Sequence, residues 1–243
     1  MSQSMNAKPL PPAFHIYANF HSEDLGALGE TESNLSHDIS LGGDWPERTE
    51  INLHTSTRLL ANASSFENSQ ACILLPSCSG SGADREPLYA SHHATGSPFT
   101  FAIESGPGRR REAFEWRCSD GPNSPSQNTN DPEYELVRIA TDTPSGLARA
   151  WAPGDATSSD GKEVVARITY LVRRDPELLA FKFLGTGVSG ALGERWSVMA
   201  AATALSLWDY ERRLAGKGFD LTREWPYMID SLVIPPDTDD CES

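Results

Sequence analysis

The sequence has little with which to enter or cross a membrane. No apolar run opens it in the manner of a signal peptide. Its most apolar stretch, Trp196 to Trp208, would reach only about 20 Å as a helix, against the ~30 Å of a bilayer's hydrocarbon core. Cysteine is scarce: Cys72, Cys78, Cys118 and Cys241 fall at no metal-ligand spacing. The adjacent pair His92-His93 cannot point to one ion from a strand, where neighbours face opposite ways. We therefore expect reduced thiols, no metal, no cofactor and an intracellular setting, cytoplasmic or nuclear. Asn34-Leu35-Ser36 and Asn62-Ala63-Ser64 fit the glycosylation pattern, which means nothing without secretion. Ser2 excludes myristoylation, and Cys241 stands one place off for prenylation. Walker loops and G-x-S-x-G elbows are missing too. Positive charge is in deficit, 20 Lys and Arg against 34 Asp and Glu, for a net charge of −14. That balance opposes binding to nucleic acid or anionic lipid over a broad surface. The cations are concentrated, however: residues 85–188 hold 12 basic and 14 acidic side chains, residues 1–84 only 3 and 10.

What the chain does have is one helix of unusual character. From Ala191 to Leu214 there is no proline, and the only interior glycine is Gly193. Ser189 is placed to cap the helix, Glu194 to meet its positive end, and Arg212 and Arg213 to meet the exposed carbonyls at the other end. Between Trp196 and Trp208 the only non-apolar residues are Ser197, Thr203 and Ser206. A surface helix needs a charged face, so this one is expected to be surrounded on all sides.

The material to surround it lies upstream. Phe14–Tyr17 and Ile51–His54 read as strands, His37–Leu41 as a weak one, and Thr57–Ala61 as ambiguous. Ala71–Leu75 is a short apolar run. Leu88–His92, Phe99–Glu104, Ala113–Cys118, Tyr134–Ala140, Leu147–Trp151, Glu163–Val172 and Leu178–Leu184 are β-rich runs divided by turn residues. The expected fold is mainly β: an antiparallel barrel or strongly curved sheet around one buried C-terminal helix at about 191–214. A hydrophobic fraction of 38 %, with 17 prolines and 19 glycines, leaves room for long loops. We place them at about 19–46, 62–70, 77–86, 119–132 and 153–161. They fall within a single domain, 13–234, between a disordered 1–12 and an acidic tail at 235–243. Trp225–Met228 and Leu232–Ile234 form a small apolar element suited to cover one end of the core.

Two features carry chemical suggestions. Gly185-Thr186-Gly187-Val188-Ser189-Gly190 fits G-x-G-x-x-G, follows a strand and opens a helix, as a dinucleotide fingerprint does. Yet no second parallel strand follows, and too little chain remains for further α/β units. The alternative is a structural turn at Gly185, Gly187 and Gly190, feeding the helix into the barrel where a Cβ would collide. Arg109-Arg110-Arg111 and Arg173-Arg174 lie between strand pairs. If those hairpin ends converge, five guanidinium groups could bind phosphate, lipid headgroups or a partner's acidic surface. The pairs Glu112/Glu115 and Glu133/Glu135 mimic acid–base carboxylates, but on strands bordering loops they read as exposed. No catalytic constellation emerges.

The motif Leu192-Gly193-Glu194-Arg195-Trp196, with Phe181–Gly187 before it and Phe114–Arg117, Leu136–Arg138 and Gly161–Ala166 upstream, resembles a family of filamentous-fungal proteins. That family has no assigned activity, so the resemblance implies none. A strand-rich chain ending in a buried apolar helix is also similar to the tubby C-terminal-like architecture shared with scramblase-like and LURP-one-like proteins. This implies a closed antiparallel barrel around a hydrophobic helix. The tubby signature stretches are absent, so phosphoinositide binding does not carry over. The leading expectation is a non-catalytic binding or scaffold module with a protein partner. Behind it stand a peripheral membrane module using the arginine loops and a nucleotide binder using the Gly185–Gly190 turn.

Overall fold

The computed structural model describes residues 9–18, 26–42, 50–67, 69–77, 82–91, 98–119, 132–139, 157–171 and 177–216. Twelve strands follow in chain order: β1 (Ala13–Ala18), β2 (Gly26–Thr31), β3 (Asn34–Gly42), β4 (Glu50–Thr55), β5 (Arg58–Ser64) and β6 (Gln70–Pro76), then β7 (Ala83–Ala90), β8 (Phe99–Ser105), β9 (Arg110–Cys118), β10 (Glu133–Arg138), β11 (Val164–Tyr170) and β12 (Glu177–Phe183). Each pairs antiparallel with the next, and β1 pairs with β12 to close the ring. The fold is thus the barrel that the strand pattern predicts. Even-numbered strands run one way and odd-numbered strands the other; we name the rim where even strands end the upper rim. The alternation that makes these segments strands also fills the lumen. Phe99, Phe101 and Ile103 point inward from β8, Phe114 and Trp116 from β9, and Ala71, Ile73 and Leu75 from β6.

A four-residue helical turn, α1 (Gly185–Val188), leaves β12 at the upper rim, and α2 (Glu194–Gly216) follows. Three levels of contact trace α2 downward. Trp196 packs on Phe114 and Phe183 at ring-centroid distances of 5.7 and 5.6 Å. Immediately after the Ala200–Ala202 run, the Trp116 indole N–H donates to Thr203 Oγ1 at 3.0 Å. At the lower rim Tyr210 meets Phe66 and Phe99, and the Tyr134 hydroxyl donates to Glu211 at 2.8 Å. The helix approaches both β5 and β11, which stand on opposite sides of the twelve-strand ring, so it lies within the lumen. Every residue from Val198 to Glu211 is buried. Each large side chain so buried contributes about 1.5–3 kcal/mol.

The barrel is filled unevenly, and the sequence explains why. α2 packs along β5, whose buried residues include the small Ala61 and Ala63, and the helix itself is narrowed by the buried Ala200, Ala201 and Ala202. Larger rings occupy the other flank: Phe14 stacks on Phe181 at 4.6 Å, and Phe181 meets Phe183 edge-on at 4.8 Å. The lone hydroxyls on the helix satisfy themselves against its own carbonyls, Thr203 on Ala200 and Ser206 on Ala202.

Several expectations need correction. The segment 19–46 is not mostly loop: β2 occupies part of it, and β3 extends the weak strand in both directions. Its inward residues are few (Leu28, His37, Ile39), and backbone pairing on both flanks supplies what hydrophobicity does not. The expected loops 62–70 and 77–86 shrink, because β5 runs to Ser64, β6 starts at Gln70 and β7 starts at Ala83. The helix begins three residues later than expected. Gly193 takes a φ of +87°, which a residue in the first helical turn cannot have, and Ser189 closes α1 rather than capping α2. The expected strand 147–151, His92-His93, the loop 120–131 and everything from 217 onward lie outside the described residues.

Candidate functional site

The upper rim gathers most of the chemistry-bearing side chains. Two buried carboxylates organise it. Glu163 extends one oxygen 2.7 Å from the Thr186 amide and the other 3.3 Å from Arg138 Nη1. Arg138 Nε donates to Glu112 at 2.5 Å, and the Ser105 hydroxyl donates to the same carboxylate at 2.6 Å. Burial works against the Arg138 charge, but the Glu112 and Glu163 carboxylates outweigh it and raise its pKa. On the neighbouring arc Glu86, its side chain only 5 % exposed, sits between Arg111 at 2.6 Å and Arg195 at 3.1 Å. The hydrogen bond to Glu86 is the main reason the Arg111 guanidinium holds its proton still more firmly than usual. Arg195 also lies 3.1 Å from Asp84 and donates to the Pro76 carbonyl at 2.5 Å.

This rim explains the Leu-Gly-Glu-Arg-Trp motif as a fastening. The buried Leu192 offers its carbonyl to the Gly106 amide at 3.0 Å. Gly193 supplies the left-handed residue that turns the chain, Arg195 grips the wall, and Trp196 enters the core. Pairs like these fix geometry more than they add net stability, because each charge loses hydration as it is buried.

The Gly185–Gly190 turn is built for close packing. A Cβ on Gly187 would stand 2.2 Å from the Val165 carbonyl oxygen and 3.0 Å from the Trp196 ring. Gly185 has a φ of +48°, and a Cβ there would meet the Glu163 carboxylate at 2.8 Å; Gly190 has a φ of +72°. The amides that a pyrophosphate would need are already taken, Thr186 N by Glu163 and Gly187 N by the Leu184 carbonyl. The sheet that the turn leaves is antiparallel throughout. The features that carry a dinucleotide site are therefore occupied by the protein itself.

The arginines separate. Arg109, at a φ of +45°, is exposed on the turn between β8 and β9 and Arg110 is exposed at the start of β9, and neither has an ion-pair partner among the described residues. Arg111 belongs to the Glu86 network instead. Arg173 and Arg174 lie outside the described residues. The strand ends that flank them, Tyr170 and Glu177, are at the lower rim, opposite the β8–β9 turn. Strand direction thus puts the described strand ends that flank the two arginine runs at opposite rims of the barrel.

The remaining carboxylate pairs are also absorbed into ion pairs. Glu115 bonds Arg117 and Glu135 lies 2.7 Å from Arg167, with Glu133 at 3.3 Å from the same guanidinium. Asp160 is held well below the usual carboxylate range, first by the Ser158 hydroxyl and then by Arg117. At the lower rim burial pushes the Tyr170 phenol well above its ordinary pKa. Sequence reasoning missed Glu86, Glu163 and Arg138, since a carboxylate on a strand gives no sign that it is buried. Among the described residues no group of His, Cys, Asp and Glu is arranged to hold a metal ion, and no helix is long and apolar enough to cross a membrane. Compared with family models, curated proteins and solved structures, the chain matches none of them.

Proposed function

We propose that this protein is a non-catalytic binding or scaffold module of tubby C-terminal-like architecture, working in the cytoplasm or nucleus through its outer surface. One observation carries the reading: the lumen, where many barrels take a ligand, is filled by the protein's own helix, buried from Val198 to Glu211. Binding must then occur outside. The upper rim favours a partner with an acidic surface, because Arg109 and Arg110 are exposed there and have no ion-pair partner among the described residues, while Arg111, Arg117, Arg138, Arg167 and Arg195 are all engaged. A protein partner fits better than an anionic membrane. A pair of exposed guanidinium groups on the β8–β9 turn of a chain of net charge −14 attracts a bilayer weakly, whereas a complementary patch can orient them.

The test compares wild type with Arg109→Glu/Arg110→Glu. Proximity labelling in cells should enrich a set of proteins that the double variant loses while its melting curve stays unchanged. Vesicles containing phosphatidylserine should leave both proteins unbound at physiological salt. An identical labelled set for the two proteins would remove the rim from the reading, and flotation that the double variant loses would replace the protein partner by a membrane.

A further inference from the structure

The helix that fills the lumen follows all twelve strands in the chain, and yet the ring is closed around it. A helix is about 10–12 Å across with its side chains, and paired strands stand about 4.8 Å apart, so α2 cannot pass between them. Entry through the upper rim would draw the chain that follows Gly216 lengthwise through the lumen. The ring must therefore close after α2 has settled against its wall, and one join between strands forms last.

Topology singles out that join. Among the described strands, every join but one connects neighbours in the chain. The exception is β1 with β12, where Phe14 stands opposite Phe181, His15 opposite Ala180 and Ile16 opposite Leu179. Bringing together the two ends of so long a stretch costs more entropy than closing a hairpin, and such contacts form late. The place of the helix agrees. α2 packs chiefly on β5, β6 and β8, which stand across the ring from the β1–β12 join. Toward the join it reaches the wall through a relay of rings: Trp196 meets Phe183 at 5.6 Å, and Phe183 meets Phe14 edge-on at 6.4 Å. Two other joins have shorter ladders, Asn62↔Leu74 and Ala63↔Ile73 between β5 and β6, and Leu88↔Phe101 to Ala90↔Phe99 between β7 and β8. Both lie where the helix packs, and Arg111 braces the second from β9 by reaching Glu86 on β7 at 2.6 Å.

We propose that the β1–β12 join is the line along which an open, curved sheet carrying α2 closes over the helix, and along which the folded ring first parts. When it parts, Phe14 separates from Phe181 and Phe183, and the Trp196 end of α2 gains a route to water while the hairpins stay paired. A helix sealed in its barrel is thereby reached without unfolding the whole domain. The inference goes beyond the binding reading and does not depend on it.

Native-state hydrogen exchange on the full chain, resolved by peptide mass spectrometry, tests it. Amides of β1 and β12, among them the Phe183 N–H that donates to the Pro12 carbonyl at 2.9 Å, should exchange at least about tenfold faster than those of β8 and β9. With the native cysteines replaced by serine, His15→Cys/Ala180→Cys sets two thiols opposite each other across the join. Air oxidation to the disulfide should bring β1 and β12 to within about twofold of β8 and β9 in the same molecule, and reduction should restore the gap. If the double variant does not oxidise, the wild-type comparison decides alone. Exchange led by β5 and β6 would put the opening at the shortest ladder, and equal protection around the ring would leave it with no preferred opening. Either result, or a gap that survives the disulfide, overturns the proposal.

Discussion

Gly187 offers the sharpest test of the turn that feeds the helix into the barrel. Its replacement by alanine adds one methyl group, and the position is not in the left-handed region, so the effect is one of space alone. That methyl would stand 2.2 Å from the Val165 carbonyl oxygen, roughly an ångström inside contact distance, and 3.0 Å from the Trp196 ring. Neither neighbour can give way freely. The Val165 carbonyl accepts from the Leu184 amide at 2.9 Å, and Trp196 is wedged between Phe114 and Phe183. Overpacking of this kind costs about 1–3 kcal/mol, and loosening the hydrogen bond adds about 1 kcal/mol. A loss of ~3 kcal/mol lowers the Tm of a chain this size by about 6–12 °C. Gly190→Ala is the internal control. It has open space around it but a φ of +72°, so it should cost about 1–2 kcal/mol from backbone strain alone. Urea melts of the two variants give the comparison directly. If Gly187→Ala were no more destabilising than Gly190→Ala, the close-packing explanation of this glycine turn would be wrong.

Thr203→Val removes the acceptor of the Trp116 indole N–H in the middle of the core and should cost about 1–3 kcal/mol in urea unfolding, despite its near-identical shape. Glu163→Gln keeps an acceptor for the Thr186 amide but takes away the charge beside Arg138, and should cost about 1–3 kcal/mol in the same assay. Asp160 titrates below its ordinary value near 3.8 in the folded state, so its contribution is complete above that value and disappears as the pH falls through the folded one. The stability gap between wild type and Asp160→Asn should therefore be constant from neutral pH to about pH 5 and close below about pH 4, as followed by urea melts across that range.

The sequence discloses the helix and the later strands because both follow from local patterns. Thirteen residues without charge permit no solvent-facing side, and Phe99-Phe101-Ile103 or Phe114-Trp116 alternate plainly. β2 and β3 were hard to read because their inward positions are sparse and one of them, His37, is polar. Gly193 was legible as helix-compatible but not as a left-handed residue, since composition does not reveal the sign of φ. The rim network stayed hidden for a different reason. Arg195 meets Glu86 only because the helix enters the barrel, and Glu163 meets Thr186 only because β11 pairs with β12, and pairings so distant in sequence leave no spacing signal. That the β8–β9 turn and the strand ends flanking Arg173-Arg174 stand at opposite rims follows from the number of strands between them, β9, β10 and β11, and does not depend on β2.

Enclosure of the helix is the claim on which the rest stands, and nuclear Overhauser contacts test it most directly. Methyl groups of Ala200 to Ala204 should show contacts to Ala61 or Ala63 on β5, to the Trp116 indole on β9 through Thr203, and to β11 across the ring. Contacts limited to one run of adjacent strands would place the helix against the outside of a sheet and contradict the account.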